Sequence, residues 1–227
     1  MIRRSNSGPI LVVAPHPDDD VLGCGGTMAR LADKGQDVHV AIITAGRPPR
    51  FGREDVAQVR VEAEAAHRLL GVTQTHFGDF PAAELDRVAH ADLNARIEEL
   101  IRLVKPETVF LPFVGDLHLD HKLVFRSVLV AARPRSADYP RRILAYETLS
   151  ETGWAAPYLD PAFAPNLFVD IAASLESKIA AFQCFVSQCR AFPDERSPEA
   201  LRALAQLRGA NVHREAAEAF VLLREVD

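Results

Sequence analysis

Histidine and aspartate crowd together at two places in this sequence, His16-Pro17-Asp18-Asp19-Asp20 and the stretch from Asp116 through His118-Leu119-Asp120-His121. Two histidines and a carboxylate make a common catalytic zinc set, with one coordination position left for water. A cation held this way lowers the pKa of its water towards about 7 and polarises a carbonyl. A neighbouring carboxylate that the metal does not use can take a proton from that water. A spare histidine can stabilise a developing oxyanion. The chemistry on offer is metal-assisted hydrolysis, provided the fold brings the two clusters together.

The elements around the clusters predict that it does. Residues 10–14 are a continuous apolar run, as expected of a strand buried on both faces. Residues 23–34 then read as a helix, 38–44 as a strand, 54–70 as a long helix stopped by Gly71, and 75–80 as a third strand. Residues 92–104 are helical up to Pro106, 108–112 form a fourth strand, and 119–132 a further helix. Strand alternating with helix at this spacing predicts an α/β fold, a Rossmann-like, mostly parallel sheet flanked by helices. Each polar cluster follows the carboxyl end of one strand, the first and the fourth. In a sheet of order 3-2-1-4 those two strands are neighbours across the switch point, where ligand sites form. The last third reads as two strands, 142–148 and 167–171, then three helices at 175–190, 198–207 and 214–224, giving a helical C-terminal third. No linker divides the chain, so residues 1–227 are read as one domain.

An aspartate pair after a strand is ordinarily a solvated helix start, favoured by the helix dipole. Asp20 is read that way. It does not account for two histidine-plus-aspartate clusters at matching strand ends. Gly23-Cys24-Gly25-Gly26 lacks the full dinucleotide fingerprint, and the aspartates before it would repel a pyrophosphate. Close helix packing is its expected role.

Ala14-Pro15-His16-Pro17-Asp18-Asp19-Asp20 with Gly23 to Thr27, and His118-Leu119-Asp120-His121, resemble the two signatures of the PIG-L/LmbE-like deacetylases. Arg60-Val61-Glu62-Ala63 through Leu70-Gly71 resembles the family's helix between strands two and three. Tyr146-Glu147, the words from Ser150 to Trp154, Arg196-Ser197 and Ala217-Glu218-Ala219-Phe220 resemble a bacterial branch of it. The resemblance implies a zinc hydrolase, with one Zn2+ per chain, that removes acetyl from an N-acetylated amino sugar or related conjugate. It implies His16, Asp19 and His121 as zinc ligands and Asp18 as general base and then acid. It implies His118 as oxyanion stabiliser, with Asp120 orienting it and setting its charge, and a homo-oligomer. Two features depart from the pattern. Asp20 stands where the first motif usually has Glu. Phe80-Pro81-Ala82-Ala83-Glu84 stands where many sugar deacetylases have Asp-Gly after the proline.

Two rival readings are a magnesium phosphohydrolase using Asp18, Asp19 and Asp116, and a non-catalytic module binding a metal or nucleotide sugar. Oxygen-only ligation would favour the first, and the histidines argue against it. Asp18, which the implied ligand set does not need, argues against the second. Candidate substrate contacts are Arg47, Arg53 and Arg60, together with Trp154 in a loop with Glu151 that can wall the pocket. Glu218 is a weaker candidate on the last expected helix.

Composition sets the remaining bounds. A net charge of −5 gives no electrostatic attraction for nucleic acid or an anionic membrane. No stretch approaches the roughly 20 apolar residues of a membrane span. Three cysteines without paired spacing, and a basic start at residues 1–4 followed by too short an apolar run for a signal peptide, read as a reduced, cytoplasmic protein.

Overall fold

The computed structural model describes residues 8–135 and 137–227; the basic start at residues 1–4 lies outside them. Strands β1 (Ile10–Ala14), β2 (Val38–Ala45), β3 (Gln74–Pro81), β4 (Thr108–Pro112) and β5 (Arg142–Tyr146) are all parallel. Two more, β6 (Leu167–Asp170) and β7 (Ala217–Glu225), complete one seven-stranded sheet of order β3-β2-β1-β4-β5-β7-β6. β7 runs antiparallel to both its neighbours. The chain turns one way from β1 to β2 and the other way to β4, so the expected switch point is present.

Every residue of β1 and β4 is buried, which is why both read as unbroken apolar runs. Alternate side chains feed two cores. Ile10, Val12 and Ala14 face α1 (Asp19–Ala32), α2 (Arg53–Leu69), α5 (Leu175–Gln183) and α6 (Pro198–Ala210). Leu11 and Val13 face α3 (His90–Val104) and α4 (Leu119–Ala131). Gly71, at φ 72°, makes the left-handed turn that ends α2.

The C-terminal third differs from its sequence reading in two places. Residues 214–224 are not a third helix, because β7 fills the space between β5 and β6. Glu215-Ala216-Ala217-Glu218-Ala219 is good helix composition, but tertiary context overrides propensity. Ala217 to Phe220 are buried in succession, as in an inner strand. The helix expected over 175–190 stops at Gln183, and Ser187 beyond it donates from both N–H and Oγ to Glu62 on α2. Among the described residues no helix is long and apolar enough to cross a membrane.

α1 starts at Asp19, earlier than its glycines suggest, and those glycines are packing surfaces. A Cβ on Gly23 would lie 2.2 Å from Cδ2 of Tyr146. The middle of α1 is gripped by charge. Gly26 and Thr27 donate their N–H groups to the two oxygens of Glu218, at 2.9 and 2.7 Å. Lys178 donates to the Leu22 carbonyl at 2.8 Å and to Glu218 at 2.5 Å. Glu218 therefore belongs to the core beneath α1, and it does not reach the pocket.

Candidate metal centre and active-site pocket

The loop from β1 to α1 delivers the first cluster. The Asp19 carboxylate turns back to accept the His16 N–H at 2.8 Å, which fixes the loop before the helix begins. Asp18 caps α1 with φ 98°, a left-handed conformation that costs a non-glycine residue on the order of 1–3 kcal/mol. The loop after β4 delivers the second cluster. His118 caps α4, its Nδ1 accepting the Asp120 N–H at 3.1 Å. That bond leaves the ring proton on Nε2, so His118 presents a donor to the pocket.

His16, Asp19 and His121 converge. One ligand atom from each lies within 4.8 Å of the others. Asp19 Oδ2 is 3.2 Å from His16 Nδ1 and 3.2 Å from His121 Nε2. His121 Nε2 is buried and has no hydrogen-bond partner, while Nδ1 on the other side of the ring is bonded by Asp116. A buried nitrogen left unpaired beside a carboxylate oxygen is what a cation ligand requires, and neighbouring ligands with bonds of about 2.1 Å sit at such separations. The residues fit a divalent metal.

A second layer holds these ligands. Asp116 Oδ2 is 2.8 Å from His121 Nδ1, and Asp116 Oδ1 accepts from Thr152 at 2.6 Å. This fixes the His121 tautomer that bares Nε2. Asp116 is thereby committed to imidazole and hydroxyl, which leaves the oxygen-only magnesium set without its third carboxylate. Asp120 corrects an expectation. Its carboxylate lies 3.1 Å from His16 Nε2 and accepts the Ala83 and Leu85 N–H groups, while only its backbone orients His118. The Asp120 N–H serves the cap, and its carboxylate, within 4.8 Å of ring nitrogens of both His16 and His118, makes its hydrogen bonds to His16, Ala83 and Leu85. Asp20 bonds His67 at 2.8 Å, and His67 bonds Thr75 at 2.7 Å, joining α1 to α2 and β3 as a structural link.

Charge compensation is strong in this cluster. Burial alone would depress the His16 imidazole, but Asp120 and Asp19 outweigh it and raise it to about 9. Burial pulls His121 down too, and Asp19 and Asp116 more than reverse it, to about 10. Burial would raise Asp19, yet the two imidazoles hold it well below the carboxylate range. Both histidines are therefore protonated at pH 7 when no cation competes, and both must be neutral to ligate. Titrating metal into stripped protein at pH 7 should release about two protons, so apparent affinity should fall about 100-fold per pH unit below 9. Calorimetry in buffers of different ionisation enthalpy reads the proton count. Release of fewer than one would put the metal elsewhere.

The sequence pattern of the family described as "PIG-L: GlcNAc-PI de-N-acetylase" matches residues 11–132. The chain belongs to the PIG-L family. Diacetylchitobiose deacetylase from Thermococcus kodakarensis is 31% identical over 200 residues, covering 82% of this chain and 71% of that protein. The crystal structure of the conserved protein TT1542 from Thermus thermophilus superposes with a TM-score of 0.77 at 27% identity, covering 96% of each chain. A 4-oxalmesaconate hydratase from Pseudomonas putida is 29% identical over 203 residues, covering 78% of this chain and 73% of that protein.

The PIG-L cluster opens into a cleft of about 470 Å³. One end is formed by His16, Asp18, Asp19, His118 and Glu151, and the far end by the β2–α2 loop, α2 and β3 through Phe51, Val56, Val59, Arg60 and Phe77. Of the expected substrate contacts, only Arg60 lines the cleft. It stacks over Phe77 at 5.1 Å and donates to the Gly78 carbonyl at 3.0 Å. Arg47 turns away to the Asp79 carbonyl, and Arg53, on the exposed first turn of α2, lies outside the lining. Trp154 is 65% exposed and bonds Glu195 through Nε1, so it also stands outside the cleft. Sequence reasoning gave no role to Arg196. Its guanidinium bonds Asp18 Oδ2 at 2.7 Å, across a separation no spacing rule reaches.

Proposed function

We propose that this PIG-L chain hydrolyses the N-acetyl amide of an amino sugar or sugar conjugate, with zinc as its cation. The observation that carries the reading is a carboxylate the metal does not need. Asp18 is 1% exposed, lines the cleft, and stands next to a triad that is complete without it. His16, Asp19 and His121 would hold the cation, which supplies Lewis-acid polarisation of the carbonyl and acidifies a water.

The side chains do the rest. Asp18 takes a proton from the attacking water as its oxygen adds to the acyl carbon. Burial pushes the Asp18 carboxyl up to about 7, against the downward pull of Arg196, which suits a group that must accept and then return a proton near neutrality. His118 is kept neutral, its pKa lowered first of all by burial, and its Nε2–H donates to the carbonyl oxygen as charge develops there. Asp18 then passes its proton to the nitrogen, the C–N bond breaks, and acetate and a free amine leave.

The test is acetate release by the zinc-, manganese- or cobalt-loaded protein from N-acetylglucosamine, diacetylchitobiose and N-acetylglucosaminyl-inositol. One acetate per free amine formed, in at least one of these, is expected. The similarity to a hydratase supplies the contrary arm. Water addition to a conjugated unsaturated carboxylate, read by loss of its absorbance with no amide cleaved, would replace this reading.

A further inference from the structure

Asp18 sits in a strained conformation and makes no side-chain bond to the helix it caps. A non-glycine residue stays in the left-handed region only where its surroundings hold it. The Asp18 carbonyl accepts the Leu22 N–H at 2.9 Å, and its carboxylate is held by Arg196, on the loop between α5 and α6, through Nη2 to Oδ2 at 2.7 Å. Arg196 is itself tethered, with Nη1 donating to Gln188 Oε1 at 3.3 Å. The adjoining Ser187 is anchored to Glu62, itself 4% exposed, by N–H and Oγ bonds of 3.1 and 2.6 Å. Ser187, Gln188, Arg196 and Asp18 all line the cleft. A continuous path of bonds therefore runs from α2 through the C-terminal loop to the carboxylate. The Nε of Arg196 is buried and bonds nothing, so the guanidinium is placed by Asp18 and Gln188 at the expense of one buried donor.

We propose that Arg196 is a positioning residue for the hydrolysis, its guanidinium aiming the Asp18 carboxylate at the attacking water. The inference rests on the hydrolase reading above. Arginine suits the task because its planar fork spans two acceptors at once. A lysine ammonium lacks that fork and cannot serve Asp18 and Gln188 in the same geometry. An ion pair that only stabilised the fold would lower Tm without touching turnover per folded molecule.

The experiment uses the metal-loaded full chain with Arg196→Ala and Arg196→Lys. Arg196→Ala should bind metal with wild-type stoichiometry and lose about 100-fold in kcat, with KM little changed, as misplacement by an ångström costs. Millimolar guanidinium should restore at least a tenth of the lost rate, which no purely structural defect allows. Arg196→Lys should stay at or below about a tenth of wild type. Acetohydroxamate, a metal-seeking probe whose N–H needs an acceptor at Asp18, should bind about tenfold more weakly to Arg196→Ala and to Asp18→Asn alike. That affinity separates the two hypotheses. If the wild type cleaves no amide but the hydroxamate loss is seen, the deacetylase reading fails and the positioning role stands. Wild-type kcat and hydroxamate affinity in Arg196→Ala overturn the proposal, as does a loss that guanidinium leaves unrelieved. Should Arg196→Ala not fold, the lysine variant decides: a drop of about tenfold in kcat or, if the wild type cleaves no amide, in hydroxamate affinity supports the role, and wild-type values overturn it.

Discussion

Asp18→Asn should keep its metal and lose about 10²- to 10⁴-fold in turnover, the usual worth of a positioned general base. The substitution is nearly isosteric and leaves His16, Asp19 and His121 untouched, so the ligand atoms within 4.8 Å of one another persist. The carboxamide can still accept from Arg196, but it cannot hold a proton between water and amine. The separation of metal content from rate is the signature. His121→Ala should lose both, because it removes the buried Nε2 that nothing else satisfies. Metal analysis beside steady-state kinetics reads the difference. An Asp18→Asn enzyme retaining more than about a tenth of wild-type turnover would move the base to another carboxylate. Glu151 is then the candidate, since it lines the cleft and burial raises its pKa.

The largest effect on stability should come from Lys178→Met. Lys178 and Glu218 are each 4% exposed at the side chain and 2.5 Å apart. Breaking a buried pair by removing one partner costs about 3–5 kcal/mol, because the other charge stays buried without compensation. Glu218 would keep the Gly26 and Thr27 N–H groups, but the Leu22 carbonyl would lose its Lys178 donor. Methionine preserves most of the side-chain volume, so the loss isolates charge from packing. Urea unfolding of metal-loaded protein at equal metal activity gives the difference. A loss below about 1 kcal/mol would mean that α1 does not depend on the pair.

The central sheet was legible because β1 and β4 are buried on both faces and end at prolines or polar clusters. Their bounds, Ile10–Ala14 and Thr108–Pro112, coincide with the apolar runs. That the two polar clusters, His16 to Asp20 and Asp116 to His121, meet was also legible, since switch-point topology needs only strand order. Two kinds of information were not. Side-chain direction within a helix turn decides that the Asp120 carboxylate hydrogen-bonds His16 while its N–H goes to His118, and residue type alone does not report it. Long-range pairing decides that residues 217–225 are a strand, where β7 lies between β5 and β6 and Glu218 buries against Lys178 on α5. The same holds for Arg196, which reaches Asp18 from a loop whose sequence carries no periodic signal. Arg47, Arg53 and Trp154 had the right neighbourhoods and the wrong directions. Loops place such side chains by local contacts, such as that of Trp154 with Glu195.

The grip on α1 also sets an order of events during synthesis. The helix that starts at Asp19 receives hydrogen bonds in its middle from residues 156 and 192 positions further along the chain. At about 5–20 residues per second, Glu218 leaves the ribosome on the order of 10–40 s after Gly26. Until then the Gly26 and Thr27 amides have no carboxylate, and β5 has no β7 beside it. The His16–Asp20 segment, which leads into this helix, is thus among the last parts to settle. A nascent chain stalled before residue 217 would carry the His16 and His121 clusters, yet α1 would lack the Glu218 carboxylate that takes up its Gly26 and Thr27 amides.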